Sequence, residues 1–120
     1  MKIVGLYSFK GGQNAVETKY PHLLNEVRQA VLNVDAKRHR TKSSKEKTMP
    51  GRLLYNPRSL NKAFKAEFER RGWRTVRVKC QYSTEYYAKK YDPEPMNKGA
   101  FREMDFVKEQ LGVEVQFGKY

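Results

Sequence analysis

The sequence predicts a single α/β domain. Two segments have the apolar spacing of amphipathic helices, and others alternate apolar and polar residues as strands do. A chain of 120 residues has room for one domain at most. No apolar stretch approaches the roughly 20 residues of a membrane span, so we expect no membrane partner.

The beginning of the chain is predicted to hold a strand, a turn and a helix. Residues 2–9 have the pattern of a short strand, and a glycine-containing turn follows at 11–14. A helix begins at Pro21, because proline favours the first helical position, and reaches about Asn33. The apolar residues on one face of this helix are Leu23, Leu24, Val27, Ala30 and Val31.

Residues 36–52 are predicted to form a basic loop that is poor in apolar residues. The only acidic residue in this loop is Glu46, against seven cationic ones: Lys37, Arg38, Arg40, Lys42, Lys45, Lys47 and Arg52. Charge alone leaves two readings open, a solvated surface or a surface that contacts phosphate.

A second helix is predicted from about Leu60 to Arg71. Ser59 is placed to cap its start, and Gly72 follows its end. Glu67 lies in line with the apolar stripe of this helix. Its position favours an ion pair with a neighbouring arginine over a role as an additional metal ligand.

The alternation from Trp73 to Tyr82 predicts a strand. Cys80 lies within this strand, and we interpret it as a buried core thiol and not as a nucleophile. As the lone cysteine it cannot form an internal disulfide. This indicates a reducing compartment, the cytoplasm.

The final residues predict a hairpin that brings two carboxylates together. A turn centred between Glu109 and Gln110 pairs residues whose numbers sum to 219, so Asp105 lies opposite Glu114. Opposed Cβ atoms are about 4.5–5.5 Å apart, close enough for both carboxylates to hold one hard cation. Gly112 is better suited to a positive φ than the two turn residues. A register shifted by one residue is therefore the alternative, and it would move the aspartate off this face.

Side-chain alternation places Glu114 and Gln116 on one face of the last strand, and Val113, Val115 and Phe117 on the core face. Taken alone, the carboxylate pair is more typical of an ordinary solvent-facing hairpin than of a metal site. The net charge of +12, from 25 basic and 13 acidic residues, indicates a polyanionic partner such as nucleic acid.

Several segments match, in order, the pattern of one enzyme family: Arg40–Thr48, Leu54–Pro57, Leu60–Lys65, Gly72–Trp73, Met104–Lys108 and Val113–Tyr120. Through them the chain resembles type II restriction endonucleases of the BglII and BstYI group, nearest to the BstYI branch. This group belongs to the PD-(D/E)xK nuclease superfamily, and in it glutamine replaces the usual lysine. The resemblance is weakest between about Gln81 and Arg102.

This resemblance implies a restriction-endonuclease-like fold, a mixed sheet flanked by helices. It implies Mg²⁺-dependent hydrolysis of double-stranded DNA at a palindrome with a GATC core, of the RGATCY or AGATCT kind. It also implies a homodimeric enzyme of a bacterium or archaeon, and a cognate DNA methyltransferase encoded nearby.

The resemblance further implies roles for individual residues. Asp105 and Glu114 would ligate Mg²⁺ together with the main-chain carbonyl of Val115, and Gln116 would position the attacking water. Lys119 would contact guanine in the major groove, with a phosphate contact as the alternative. The resemblance also favours phosphate contacts by the basic loop, through Arg40, Lys42, Lys45 and Lys47.

Enzymes of this group continue well beyond the catalytic strand. We therefore expect residues 1–120 to be the N-terminal part of such an enzyme, truncated after that strand, with one sheet edge and an apolar face uncovered. We expect the chain alone to show little specific double-strand cleavage. The alternative function is a non-enzymatic basic module that binds DNA or RNA, in which the carboxylate pair is structural.

Overall fold

The computed structural model of the chain describes residues 1–80, 85, 87–89 and 100–117. Within them the α/β class is confirmed, and every recorded strand pair is antiparallel. The helices are α1 (Gly12–Lys19), α2 (Pro21–Asn33) and α3 (Pro57–Glu69), with a 3₁₀ turn at Ala36–His39. One sheet pairs β1 (Lys42–Ser43) with β2 (Leu53–Leu54); the other has the order β3 (Arg74–Lys79), β4 (Phe101–Lys108) and β5 (Leu111–Val113).

The predicted strand at residues 2–9 is wrong. Residues 1–9 are exposed and have no regular secondary structure. A strand needs a neighbour for its backbone hydrogen bonds, and sequence alternation does not supply one. The predicted turn is instead the start of α1, where Gly11 takes a φ of 73° and the Ser8 hydroxyl accepts a hydrogen bond from the Gln13 amide at 2.9 Å.

Helix α2 has the predicted bounds, with Pro21 in its first turn. Helix α3 begins earlier than predicted, because its cap is Asn56 and not Ser59. The Asn56 side chain accepts hydrogen bonds from two amides of the first turn, at 3.1 and 3.3 Å. The Ser59 hydroxyl instead bonds His39 Nδ1 at 2.6 Å. Gly72 follows the helix with a φ of 82°, which suits a chain reversal.

The core lies between α2, α3 and one face of the larger sheet. Its centre is Phe68, whose ring centroid is 4.4 Å from that of Phe106 and 5.4 Å from that of Trp73. Burial of each such side chain contributes about 1.5–3 kcal/mol relative to exposure. Residues of the last segment pack against this cluster as predicted, namely Val113, Val115 and Phe117.

The opposite face of the same sheet is largely uncovered. On this face Val78 is 62% exposed and Met104 is 37% exposed, and both line one hollow. Cys80 is only partly buried and lines a hollow on this side, so its assignment as a core thiol is wrong. Tyr82, the predicted end of the strand, lies outside the described residues.

None of the described helices has the length and apolar character that crossing a bilayer requires.

Candidate active site

The hairpin of β4 and β5 has the predicted register. The recorded pairs are Phe106 with Val113, Val107 with Gly112 and Lys108 with Leu111, and each pair sums to 219. The alternative register, shifted by one residue, is therefore wrong. The residue with positive φ is Glu109, at 53°, and not a glycine of the second strand.

Two long-range hydrogen bonds hold the hairpin turn against the start of α2. The Tyr20 hydroxyl donates to Gln110 Oε1 at 3.1 Å, and His22 Nε2 lies 2.9 Å from Glu109 Oε1. These contacts fix a turn whose own sequence is not a favoured two-residue turn. His22 is exposed, as expected for a helix-end residue.

Strand β4 contains a bulge at the predicted catalytic aspartate. Arg74 pairs with Val107 and Val76 pairs with Met104, so two steps on β3 correspond to three steps on β4. The extra residue reverses the side-chain alternation. Phe106 is therefore 6% exposed in the core, whereas Met104 is 37% exposed on the other face. Bulges of this kind re-aim side chains next to active sites.

The bulge brings the Asp105 carboxylate to the last segment of the chain. Its Oδ2 accepts a hydrogen bond from the Val115 amide at 3.0 Å, and the Thr75 hydroxyl donates to the Asp105 carbonyl at 3.1 Å. The aspartate carboxylate thus lies beside the peptide bond that joins Glu114 to Val115. The contact joins the aspartate side chain to the main chain of Val115 and not to the Glu114 carboxylate.

Glu114 and Gln116 lie just beyond β5 and are exposed, whereas Val115 between them is partly buried. This alternation is as predicted. Asp105 and Glu114 line different hollows, the first facing α3 and the second on the uncovered side of the sheet. Joint binding of one cation by the two carboxylates therefore stays a prediction.

The donor set suits Mg²⁺. Carboxylate and main-chain carbonyl oxygens are the ligands this hard cation takes, with waters and phosphate oxygens completing its shell. The contact between Asp105 Oδ2 and the Val115 amide places two of the three predicted ligand residues side by side. Across the described ranges no group of three or more His, Cys, Asp or Glu side chains forms a metal site. The predicted site needs only two such side chains.

Glu67 forms the predicted helix-face ion pairs. Its Oε2 lies 2.6 Å from Arg70 and 2.8 Å from Arg71, and Asn33 donates to the same oxygen at 3.0 Å. Burial raises the pKa of Glu67, but these hydrogen bonds and the arginine charge outweigh it, so the pKa lies below its usual value. These contacts support the ion-pair interpretation of Glu67 over the interpretation as an additional metal ligand.

The predicted basic loop is closed at its base. Ser44 is buried, its amide donates to the Arg52 carbonyl at 2.8 Å, and its carbonyl accepts from Gly51 at 3.1 Å. The Arg40 Nε donates to the Leu53 carbonyl at 2.9 Å, which gives that arginine a structural contact. Three exposed lysines have no recorded ion pair with the described part of the chain, namely Lys42, Lys45 and Lys47. Lys119 lies outside the described residues.

Sequence reasoning missed a clamp that fixes the end of β4. The Lys108 ammonium donates to Glu26 at 2.7 Å and to the Arg71 carbonyl at 2.7 Å, and Trp73 Nε1 donates to Glu26 at 2.7 Å. Burial raises the pKa of Glu26, but the bonds from Lys108 and Trp73 outweigh it and lower the pKa overall. No local pattern marks this clamp, because Glu26 and Lys108 are 82 residues apart.

The chain matches a known protein family. A family model described as "Restriction endonuclease BglII/BglIII" matches residues 4–120 of the chain. A search of curated proteins finds no match.

Proposed function

Because the chain belongs to the BglII/BglIII restriction endonuclease family, we propose that it carries the metal-binding centre of a site-specific enzyme. The substrate is double-stranded DNA with a GATC-core palindrome, of the RGATCY or AGATCT kind, and the cofactor is Mg²⁺. The observation that supports this proposal best is the contact between the Asp105 carboxylate and the Val115 amide, at 3.0 Å. It joins the two strands at the residues on which the chemistry depends.

The residues that would hold Mg²⁺ are Asp105, Glu114 and, through its carbonyl, Val115. When bound, such a cation provides an activated water and stabilises the leaving oxygen of the phosphodiester. Asp105 lies on β4, and Glu114 and Val115 lie just past β5. The bulge at Asp105 arises where β4 pairs with β3, on the side of β4 away from β5.

Gln116 positions the attacking water in this proposal. A neutral amide can donate and accept hydrogen bonds, but it cannot take up a proton as a general base. The proton therefore passes to water or to a phosphate oxygen of the DNA. Gln116 is exposed and follows Val115 directly, so its amide is accessible to water.

Binding of DNA involves the basic loop and the charge of the whole chain. In this proposal phosphates are contacted by three exposed lysines, Lys42, Lys45 and Lys47. Arg40 also contacts phosphate, through guanidinium nitrogens other than the Nε that bonds the Leu53 carbonyl. Lys119 contacts the major groove. Such contacts release counterions and make binding dependent on salt.

A palindromic site has two equivalent halves, and a twofold-symmetric dimer presents one centre to each strand. We therefore include a homodimer in the proposal. An enzyme that cuts GATC-core sites also endangers the DNA of its own cell. A methyltransferase that protects those sites, encoded nearby, completes the proposed function.

The full gene product tests this proposal. We expect it to cut a duplex with an AGATCT site at a defined position in Mg²⁺, and not in EDTA. A matched duplex with the core changed to GTAC should stay intact. Cleavage without site preference would contradict the specificity, and cleavage that persists in EDTA would contradict the metal dependence. Binding without cleavage under all conditions would favour the non-enzymatic module.

A further inference from the structure

A hollow between α3 and the bulge of β4 is lined by both a lysine and the predicted catalytic aspartate. Asn61 and Lys65 line it from the helix, and Thr75, Asp105 and Val115 are among the residues that line it from the sheet. Residues four apart on a helix lie on the same face, so Asn61 and Lys65 face the hollow together. The hollow encloses about 190 Å³, several times the roughly 30 Å³ that one water occupies.

The Lys65 ammonium is not neutralised by the carboxylates of this hollow. Among the described residues its recorded ion pair is with Glu69 of the same helix, at 3.7 Å, with side chains 59% and 54% exposed. Glu103 is paired with Arg77, and Asp105 accepts the Val115 amide. An exposed pair at this distance contributes little, so the lysine is available to another anion.

DNA that reaches this centre brings phosphates close to carboxylates. Asp105 and Glu114 repel a phosphate, and the neutral Gln116 offers no compensating charge. Lys65 is the cation that lines the same hollow as the aspartate. We propose that Lys65, with the Asn61 amide one turn earlier, binds the DNA phosphate adjacent to Asp105. This inference rests on the proposed function, and it assigns to α3 a direct part in substrate binding.

The competing explanation is purely structural. In it, Lys65 pairs with Glu69 on the helix surface, which is worth only about 0.3–0.5 kcal/mol. Loss of that pair affects the melting temperature slightly and leaves DNA binding unchanged. The two explanations therefore differ in DNA affinity and in its salt dependence, which a structural pair does not influence.

The experiment compares Lys65→Met, Lys65→Gln and Lys65→Arg in the full gene product. Lys62→Met is the matched control, because Lys62 is exposed on the same helix but does not line the hollow. Affinity for an AGATCT duplex is measured in Ca²⁺ over a range of salt concentrations, and cleavage is measured in Mg²⁺. We expect Lys65→Met and Lys65→Gln to weaken binding on the order of tenfold and to reduce the salt slope by about 0.9.

Lys65→Arg should keep most of the affinity, because arginine also donates to phosphate, and Lys62→Met should change it less than twofold. Equal behaviour of Lys65→Met and Lys62→Met would overturn the inference, with the proposed function intact. A wild-type protein that neither binds nor cuts the duplex overturns the proposed function itself. If Lys65→Met lowers the melting temperature strongly, the Gln and Arg variants decide the comparison.

Discussion

Asp105 is held in place by contacts on both sides of its strand. The Thr75 hydroxyl bonds its carbonyl from β3, and its carboxylate accepts the Val115 amide beyond β5. A hydrogen bond to a charged group typically contributes about 1.5–3 kcal/mol, so the carboxylate is oriented before DNA arrives. Orientation of this kind reduces the rearrangement needed to form the complete site.

Glu26 makes a testable contribution to stability. Glu26→Gln removes the charge that Lys108 and Trp73 bond, so we expect the free energy of unfolding at pH 7 to fall by about 1–3 kcal/mol. Because the pKa of folded Glu26 lies below the usual 4.5, its contribution is complete above pH 4.5 and is lost as pH falls through the folded-state pKa. Urea unfolding at several pH values measures both effects.

Glu17→Gln is the matched control, since Glu17 is exposed on α1 and, among the described residues, bonds only the Gln13 side chain. We expect it to change the free energy of unfolding by less than about 0.5 kcal/mol. A difference between wild type and Glu26→Gln that stays constant from pH 7 to pH 3 would contradict the assigned role of the ionised carboxylate.

At the scale of the element, helix α3 depends on a cap that sequence reasoning misplaced. Asn56→Ala removes the acceptor for two first-turn amides, so we expect a loss of about 1 kcal/mol in the free energy of unfolding. Asn61→Ala makes the same chemical change within the helix and should be neutral or stabilising, because alanine has the higher helix propensity. Thermal unfolding of both variants measures this, and equal losses would contradict the assigned cap.

The hairpin and α2 could be predicted because their signals are local. Proline at the helix start and the spacing around Glu109 and Gln110 lie within a few residues of the elements they specify. The bulge in β4 could not be predicted, because it is defined by pairing with β3, about 30 residues earlier. The predicted strand at 2–9 is wrong for a related reason, because the alternation of apolar and polar residues does not identify a neighbouring strand.

The candidate site also combines features that have a local sequence signal with features that have none. The spacing of Asp105, Glu114 and Gln116 could be read from the sequence, and so could the inward position of Val115. The clamp of Glu26 and Lys108, and the approach of Lys65 to the aspartate, depend on the packing of helices against the sheet. Residues that meet only through tertiary packing leave no local pattern.

At the scale of the whole molecule, the described residues cover one face of the larger sheet and leave its other face exposed. Phe68 and Phe106 are buried between the covered face and the helices, whereas Val78 and Met104 on the other face remain exposed. Apolar residues exposed together in this way are typical of a surface that contacts another part of a protein or a partner.

The net charge of +12 predicts strongly salt-dependent DNA binding. We expect Lys45→Gln and Lys47→Gln each to reduce the slope of log affinity against log salt by about 0.9, since each lysine contacts a phosphate in the proposed complex. Glu46→Gln is the opposite control. It removes a negative charge from the loop and should therefore strengthen binding. Fluorescence anisotropy with one duplex at several salt concentrations measures the three slopes, and unchanged slopes for both lysine variants would exclude the loop from the DNA contact.

The central claim is that Asp105 and Glu114 hold the cation that cleavage requires. The most direct measurement is cleavage and DNA affinity, side by side, for Asp105→Asn and Glu114→Gln in the full gene product. We predict that cleavage falls by about 100-fold or more while affinity for the duplex is kept or increased, because each change removes a metal ligand and a negative charge. Cleavage at the wild-type rate in either variant would contradict the account.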